Sequence, residues 1–262
     1  MKIITITRAS QFSPNSVDSD HAIMQAVADR LTRQGHEVTI VSETDLINSS
    51  FSSPSSTIFS MGRLPQTLAW LRRQTCRVIN TPESVAACTR SSLERIMLRH
   101  HLPSPPRRGD KGYWLKRDDG PAQTADDILF CKDKCAVADA IRQFNQRGIT
   151  DYTLSAHVEG DLVKFYGVRG TGFFRYYYPT DDGQTKFGLE RFNGKALHYH
   201  FSLNSLQQDA EWLAALVGLD VYGGDCIVRA DGTYCFIDFN DWPSFCRCRD
   251  EAADAIAKLI VL

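Results

Sequence analysis

At 262 residues, with 43% hydrophobic and 23% charged side chains, the chain is long enough for a sizeable core and for two or three lobes, and it reads as an ordinary soluble globular protein. A net charge of −1 and a pI near 6.6 give no general attraction to nucleic acid or to an anionic membrane, so any anionic ligand must be met by a local cluster of bases. No apolar run approaches a transmembrane length, and strand-like residues stand where a secretory signal would need a longer apolar stretch, so the expectation is a cytoplasmic protein whose eight cysteines are mostly reduced thiols.

Residues 3–7 have strand character, and a polar loop rich in Ser, Pro and Asn runs over 10–20. A helix follows over 20–34, with Ile23, Val27 and Leu31 on one stripe and Gly35 as its stop, and then a strand over 38–41. This order predicts a parallel α/β lobe whose first loop faces whatever the lobe binds. The Ser-rich stretch 48–60 reads as a mobile loop, with a lid or substrate loop as the alternative. A helix with a basic end (65–73) and a short strand (78–80) complete an N-terminal lobe over 1–80.

Thr81 and Pro82 open a helix as N-cap and first residue, a second helix covers 91–100, and Leu102 and Pro103 end it. Strands are expected at 113–116, ending in Lys116, and at 128–131, with an amphipathic helix over 134–147. A strand over 152–158 leads through Glu159-Gly160-Asp161 into another over 162–168. The second and third parts of the chain are therefore set at 81–152 and 153–262.

Arg169, Arg175, Lys186, Arg191 and Lys195 stud a Gly- and aromatic-rich sheet region, where they could hold phosphates or a carboxylate, although an aromatic strand run more often serves packing. His198 and His200 share a face if they lie on a strand, so a metal pair is conceivable, and Cys246 and Cys248 stand alone without zinc-type spacing; in both cases ordinary side chains are the simpler expectation. Helices are expected over 205–216 and 249–262.

The segment 223–240 carries the sharpest signal. Two apolar runs flank Asp231-Gly232, the signature of a two-residue hairpin turn. Carried outward, that register sets Val228 against Cys235, Cys226 against Ile237, and Asp225 against Asp238. Asp225, Asp238 and Asn240 then share one face, and Cys226, Val228, Cys235, Ile237 and Phe239 the other. Carboxylates opposed at about 5 Å repel, and Mg2+ with oxygen ligands would relieve them. The alternatives are a slipped register or neutralisation by Arg229 or Arg191.

An acid, a short hairpin, then acid-x-Asn resembles the Mg2+-binding end of the ATP-grasp enzymes, matched by Asp225, Asp238 and Asn240. The resemblance covers residues 80–262, with its parts in the family's order. It implies an α/β (α+β) ATP-grasp fold with an N-terminal parallel α/β lobe, and ATP and Mg2+ as cofactors. Lys116 stands where the family contacts the nucleotide phosphates, and Arg90 where many members carry a lysine. By the same resemblance the backbone of Ala156, His157 and Val158, before Glu159-Gly160, meets the adenine edge, and Lys164 approaches the nucleotide. The loop 117–125, with Gly120 its one glycine, departs from the family's Gly-rich cover. Arg169 and Arg191 are the expected catalytic cations. The implied activity is an ADP-forming ligase that joins a carboxylate to an amine on a small-molecule substrate; the alternatives are a kinase acting on an inositol phosphate and an ATP-binding module without turnover. The sequence leaves the substrate and the oligomeric state open.

Overall fold

The computed structural model describes residues 1–13, 15–48, 56–118, 124–182 and 192–261. Alternating Ile and Thr make Lys2–Thr7 (β1) a strand flanked by two parallel neighbours, Glu37–Ser42 (β2) and Thr57–Ser60 (β3). Arg77–Ile79 (β4) completes a sheet of order β2-β1-β3-β4. Parallel neighbours need crossovers. Val17–Arg33 (α1) supplies the first, burying Ile23, Val27 and Leu31 as the stripe predicts, and Glu43–Asn48 (α2) and Pro65–Leu71 (α3) follow. The Ser-rich stretch departs from expectation: its last four residues are β3, buried throughout in the middle of the sheet. A strand that short, buried on both faces, has no alternation to betray it. Residues 49–55 lie outside the described residues.

Pro82–Ala87 (α4) and Arg90–Arg99 (α5) are each capped by threonine: Thr81 accepts the Ser84 N–H at 3.2 Å and Thr89 the Ser92 N–H at 3.4 Å. Tyr113–Arg117 (β5), Ile128–Cys131 (β6) and Tyr152–Ala156 (β7) form an antiparallel sheet of order β6-β5-β7. Lys134–Gln146 (α6) packs on it through Val137, Ala140 and Phe144.

Asp161–Val168 (β8), Phe173–Tyr177 (β9), Val221–Val228 (β10) and Tyr234–Asp241 (β11) make the third sheet, antiparallel, in the order β11-β10-β8-β9. Between its strands run Pro179–Asp182 (α7) and Leu203–Val217 (α8), and Arg249–Ala257 (α9) comes last. One face of this sheet buries Phe165, Phe236 and Phe239 against Leu206, Leu213 and Val217 of α8 and Leu93 and Met97 of α5. Helix α9 returns to the first lobe, with Ala252 and Ile256 beside Ile23 and Val27, and Asp250 and Asp254 on Arg30. Two features cross the divisions expected from sequence. Strand β7 pairs with β5, so the central sheet continues past residue 152, and α5 packs on the third sheet because that is where its apolar stripe is buried.

Asn80 joins the first and third sheets. Wholly buried, it donates from Nδ2 to the Val221 carbonyl at 2.7 Å and accepts at Oδ1 from the Asp220 and Val221 amides at 2.7 and 2.9 Å. Asn80→Ala leaves the Asp220 and Val221 amides without this acceptor and the Val221 carbonyl with only the longer bond from the Trp242 N–H at 3.3 Å, an unsatisfied buried group being worth about 1–3 kcal/mol. The expected loss is about 4 kcal/mol, or a fall in Tm of about 10 °C. Calorimetry checks it; a loss below about 1 kcal/mol would show that water replaces the amide.

Candidate active site

The hairpin 221–241 reaches the expected opposition of Asp225 and Asp238 by another route. The Gly232 N–H bonds the Arg229 carbonyl at 2.9 Å, the Arg229 N–H bonds the Thr233 carbonyl at 2.8 Å, and Gly232 has φ +82°. This is a three-residue loop closed by a left-handed glycine, not the two-residue turn. It sets Val228 against Tyr234 and Cys226 against Phe236, one residue out from the expected pairs. A β-bulge between Asp225 and Cys226 absorbs the difference and leaves Ile237 without a facing residue. Facing assignments change accordingly: Cys226, Val228, Phe236 and Phe239 enter the main core, while Cys235 and Ile237, expected there, join Val158, Leu162 and Ile227 in a small apolar cluster on the other side.

Both carboxylates have cations. Lys164, opposite Asp225 on β8, binds it at 3.0 and 3.1 Å. Burial works against a charged Asp238, but Arg90, Lys116, the Asn240 amide and Lys164 outweigh it and hold the carboxyl below its ordinary value. That stabilisation is complete above the ordinary value of 3.8 and is lost as the pH falls through the lower folded value. Lys116 Nζ donates at 2.7 Å to the carbonyl of Ile237, the bulged residue. Burial lowers the lysine's pKa, with Asp238 opposing. Arg90 Nη1 holds the Arg117 carbonyl at 2.7 Å, and its Nε has no partner among the described residues. Gly224 is required beside this cluster, since a Cβ there would stand 2.5 Å from the Asp238 carbonyl. Of the alternative cations, Arg229 instead binds the Thr233 hydroxyl at 3.0 Å, and Arg191 lies outside the described residues.

These groups line one end of a cavity of about 880 Å3 between the three sheets, near the upper limit for small-molecule sites. Its apolar floor is Val158, Leu162, Ile227 and Ile237, with Trp114 and Ala156 alongside. The opposite end comes from the first lobe and the loop after β11: Arg8, Asp20, Arg63, Asp241 and Ser244. The loop after β1 thus faces the cavity as the parallel-lobe argument expects, whereas Arg8, Arg63 and Glu43 behind them were missed. Loops at the carboxyl ends of parallel strands were the signal that pointed to Arg8 and Arg63.

The cavity brings together Arg90, Lys116, Ala156, Val158, Lys164, Asp225, Asp238 and Asn240 from the expected set. It does not include His157, whose Nδ1 accepts the Trp114 indole N–H at 3.0 Å, or Glu159, paired with Lys111 at 3.8 Å. Two hinge amides are already used, Ala156 N–H on the Pro106 carbonyl and His157 N–H on the Gly112 carbonyl, both at 2.8 Å. Arg169 is also elsewhere: it binds Asp220 and, at 3.0 Å, the Leu219 carbonyl, tying β8 to the start of β10. His198 sits against the Tyr178 ring at 4.3 Å and Asp181 at 3.4 Å, outside any strand. Most of loop 117–125, with Lys186, falls outside the described residues. No helix among them is long and apolar enough to cross a membrane.

The site fits a nucleotide with its metal. Among the described residues no three His, Cys, Asp or Glu side chains gather as an all-protein cage. Two aspartates and an asparagine beside lysines and an arginine instead suit Mg2+, which takes one or two carboxylates and completes its shell with phosphates and water.

No family model and no curated protein matches the sequence. Solved structures match the fold throughout. A RimK domain protein ATP-grasp from Sphaerobacter thermophilus has a TM-score of 0.67 at 13% identity over 100% of both chains. A D-alanine–D-alanine ligase from Bacillus anthracis, complexed with ATP, has a TM-score of 0.66 at 10% identity over 100% of this chain and 97% of that one. The ATP-grasp ligase PsnB, complexed with a phosphomimetic variant of minimal precursor, Mg and ADP, has a TM-score of 0.63 at 15% identity over 98% and 97%.

Proposed function

We propose that this chain, which has the ATP-grasp fold, is an ATP- and Mg2+-dependent, ADP-forming ligase that activates a carboxylate as an acylphosphate for attack by an amine. The observation that carries the reading is Asp238, kept ionised among Arg90, Lys116 and Lys164 in a cavity with room for a nucleotide and a second substrate. Bound ATP with Mg2+ supplies the phosphoryl group and neutralises charge at its transfer. Asp238, Asp225 and Asn240 hold the metal. Lys116, Lys164 and Arg90 would hold the phosphates, and Val158, Leu162, Ile227 and Ile237 would form the apolar surface for the base. The ligases of the same fold solved with ATP, or with Mg and ADP, support this assignment.

A kinase for an inositol phosphate would need a dense basic pocket. Of the cations suggested for it, Arg169 binds Asp220, Arg175 binds Glu251 and Lys195 is exposed, and none of these three lines the cavity; Lys186 and Arg191 lie outside the described residues. The test is chemical. With ATP, Mg2+, hydroxylamine and a substrate found by screening amino acids, peptides and inositol phosphates for ADP release, the expected product is a hydroxamate, because an acylphosphate is trapped by hydroxylamine. A stable phosphorylated product without hydroxamate rejects the ligase. ATP binding with no ADP from any mixture leaves a module without turnover.

A further inference from the structure

The end of the cavity away from Asp238 is also built. Arg8 follows β1 and Arg63 lies in the loop after β3, so the two come from neighbouring parallel strands, and both line the cavity. One buried carboxylate sets both loops: Glu43, with no exposed surface, accepts the N–H of Ala9 at 2.6 Å and those of Arg63 and Leu64 at 2.8 Å. Three backbone donors occupy the Glu43 oxygens, which are thus aimed at main chain instead of either guanidinium.

The two arginines are used differently. Arg8 is a strut, with Nε on the Met61 carbonyl at 3.4 Å, Nη2 on the Trp242 carbonyl at 2.9 Å and Nη1 3.5 Å from Asp20. Asp20 is in turn held by the Ser13 hydroxyl at 2.6 Å. Arg63 is under-used: Nη2 pairs with Asp241, Nε has no partner among the described residues, and the side chain keeps 16% of its surface exposed. Burial, and then the neighbouring Arg8 charge, bring its pKa down to about 10. The carboxylates of Asp20, Asp241 and Glu43 balance the two guanidinium charges, and what Arg63 lacks is an acceptor for Nε, which an oxygen of a carboxylate or phosphate group would supply.

We propose that Arg63 recognises the second substrate by an anionic group, a carboxylate or a phosphate, and that Glu43 is the residue positioning it for that task. The assignment of a second substrate rests on the ligase reading, but the anion site is measurable without it. The probes are inorganic phosphate and malonate, added to the full chain at constant ionic strength, alone and with saturating MgADP, and read by thermal unfolding. At roughly ten times its Kd the preferred anion is expected to raise Tm by about 3 °C, with or without MgADP. The larger shift tells carboxylate from phosphate.

Arg63→Gln is expected to abolish the shift. Arg63→Lys, which keeps the charge but not the fork, should weaken the anion about tenfold, as should Glu43→Gln, which never touches it. Should the Arg63→Gln chain not fold, the Arg63→Lys and Glu43→Gln variants decide. Absence of a shift in the natural chain overturns the proposal. So does a shift retained in full by all three variants, or one abolished by MgADP, which belongs to the nucleotide end. An Arg63-dependent shift in a chain that does not bind MgADP leaves the anion site standing and removes the nucleotide reading instead.

Discussion

Asp238→Asn is expected to cut Mg2+-dependent nucleotide turnover about 10³-fold while nucleotide binding in the absence of Mg2+ stays the same or tightens. The two effects have opposite signs because Asp238 has two kinds of neighbour. Toward the metal of the proposed site it would be an anionic ligand, and the amide that replaces it is neutral. Toward a bare triphosphate it is a like charge, held ionised by Arg90, Lys116 and Lys164, and its removal frees those cations for the phosphates. The substitution keeps the shape of the side chain, and the strand is fixed by Gly224 and the β10–β11 ladder, so the fold survives with a few degrees lost from Tm. Equilibrium binding of a fluorescent nucleotide with and without EDTA, beside ADP release, separates the effects. A variant with the full rate would remove Asp238 from the metal site, and equal weakening of binding with and without Mg2+ would show that the substitution had disordered the cation cluster.

That Asp225 faces Asp238 could be read from the sequence only because two errors of equal size cancel. The Asp-Gly signal announces a turn, but residue types alone do not distinguish a two-residue loop from a three-residue loop with its glycine third. Taking the shorter loop displaced every pair near the turn by one, and the bulge at Ile237 restored the count before the carboxylates. The bulge itself is invisible in composition, since Ile237 is apolar whichever way it points. Elements with periodicity were legible, among them α1, α6 and α8; Lys116, singled out by the family resemblance, lies one residue before the end of β5 and lines the cavity. Strand β3 was not, being buried on both faces. The far end of the cavity was hidden for another reason: Arg8, Glu43, Arg63 and Asp241 come from four separate stretches, and nothing local in any of them marks a site until the parallel sheet places their loops side by side.

Lys116→Met should weaken ATP binding by about 10²-fold and leave the resting chain close to its normal stability. In the structure the ammonium spans from the central sheet to the bulged carbonyl of Ile237, a contact the hairpin can offer because that residue has no facing partner. On the proposed reading this bond is a resting position: an arriving phosphate would draw Nζ from a carbonyl dipole to a full negative charge, adding the attraction of an ion pair to a bond the ammonium already strengthens. Losing the lysine costs the resting protein one charge-assisted hydrogen bond, about 2 kcal/mol, partly offset because a charge that burial disfavours has gone and methionine keeps most of the apolar stem. The nucleotide complex loses the whole ionic contact with nothing in return. Lys116→Arg is expected to recover part of the affinity, since it restores the charge but fits the narrow space against Ile237 less well. Calorimetric titration with ATP measures the affinity, and thermal unfolding of the free chain measures the stability. If the Lys116→Met variant binds ATP as tightly as the natural chain while its free-chain Tm falls by 10 °C or more, roughly 4 kcal/mol, the lysine is a strut between sheets and the phosphates lie elsewhere.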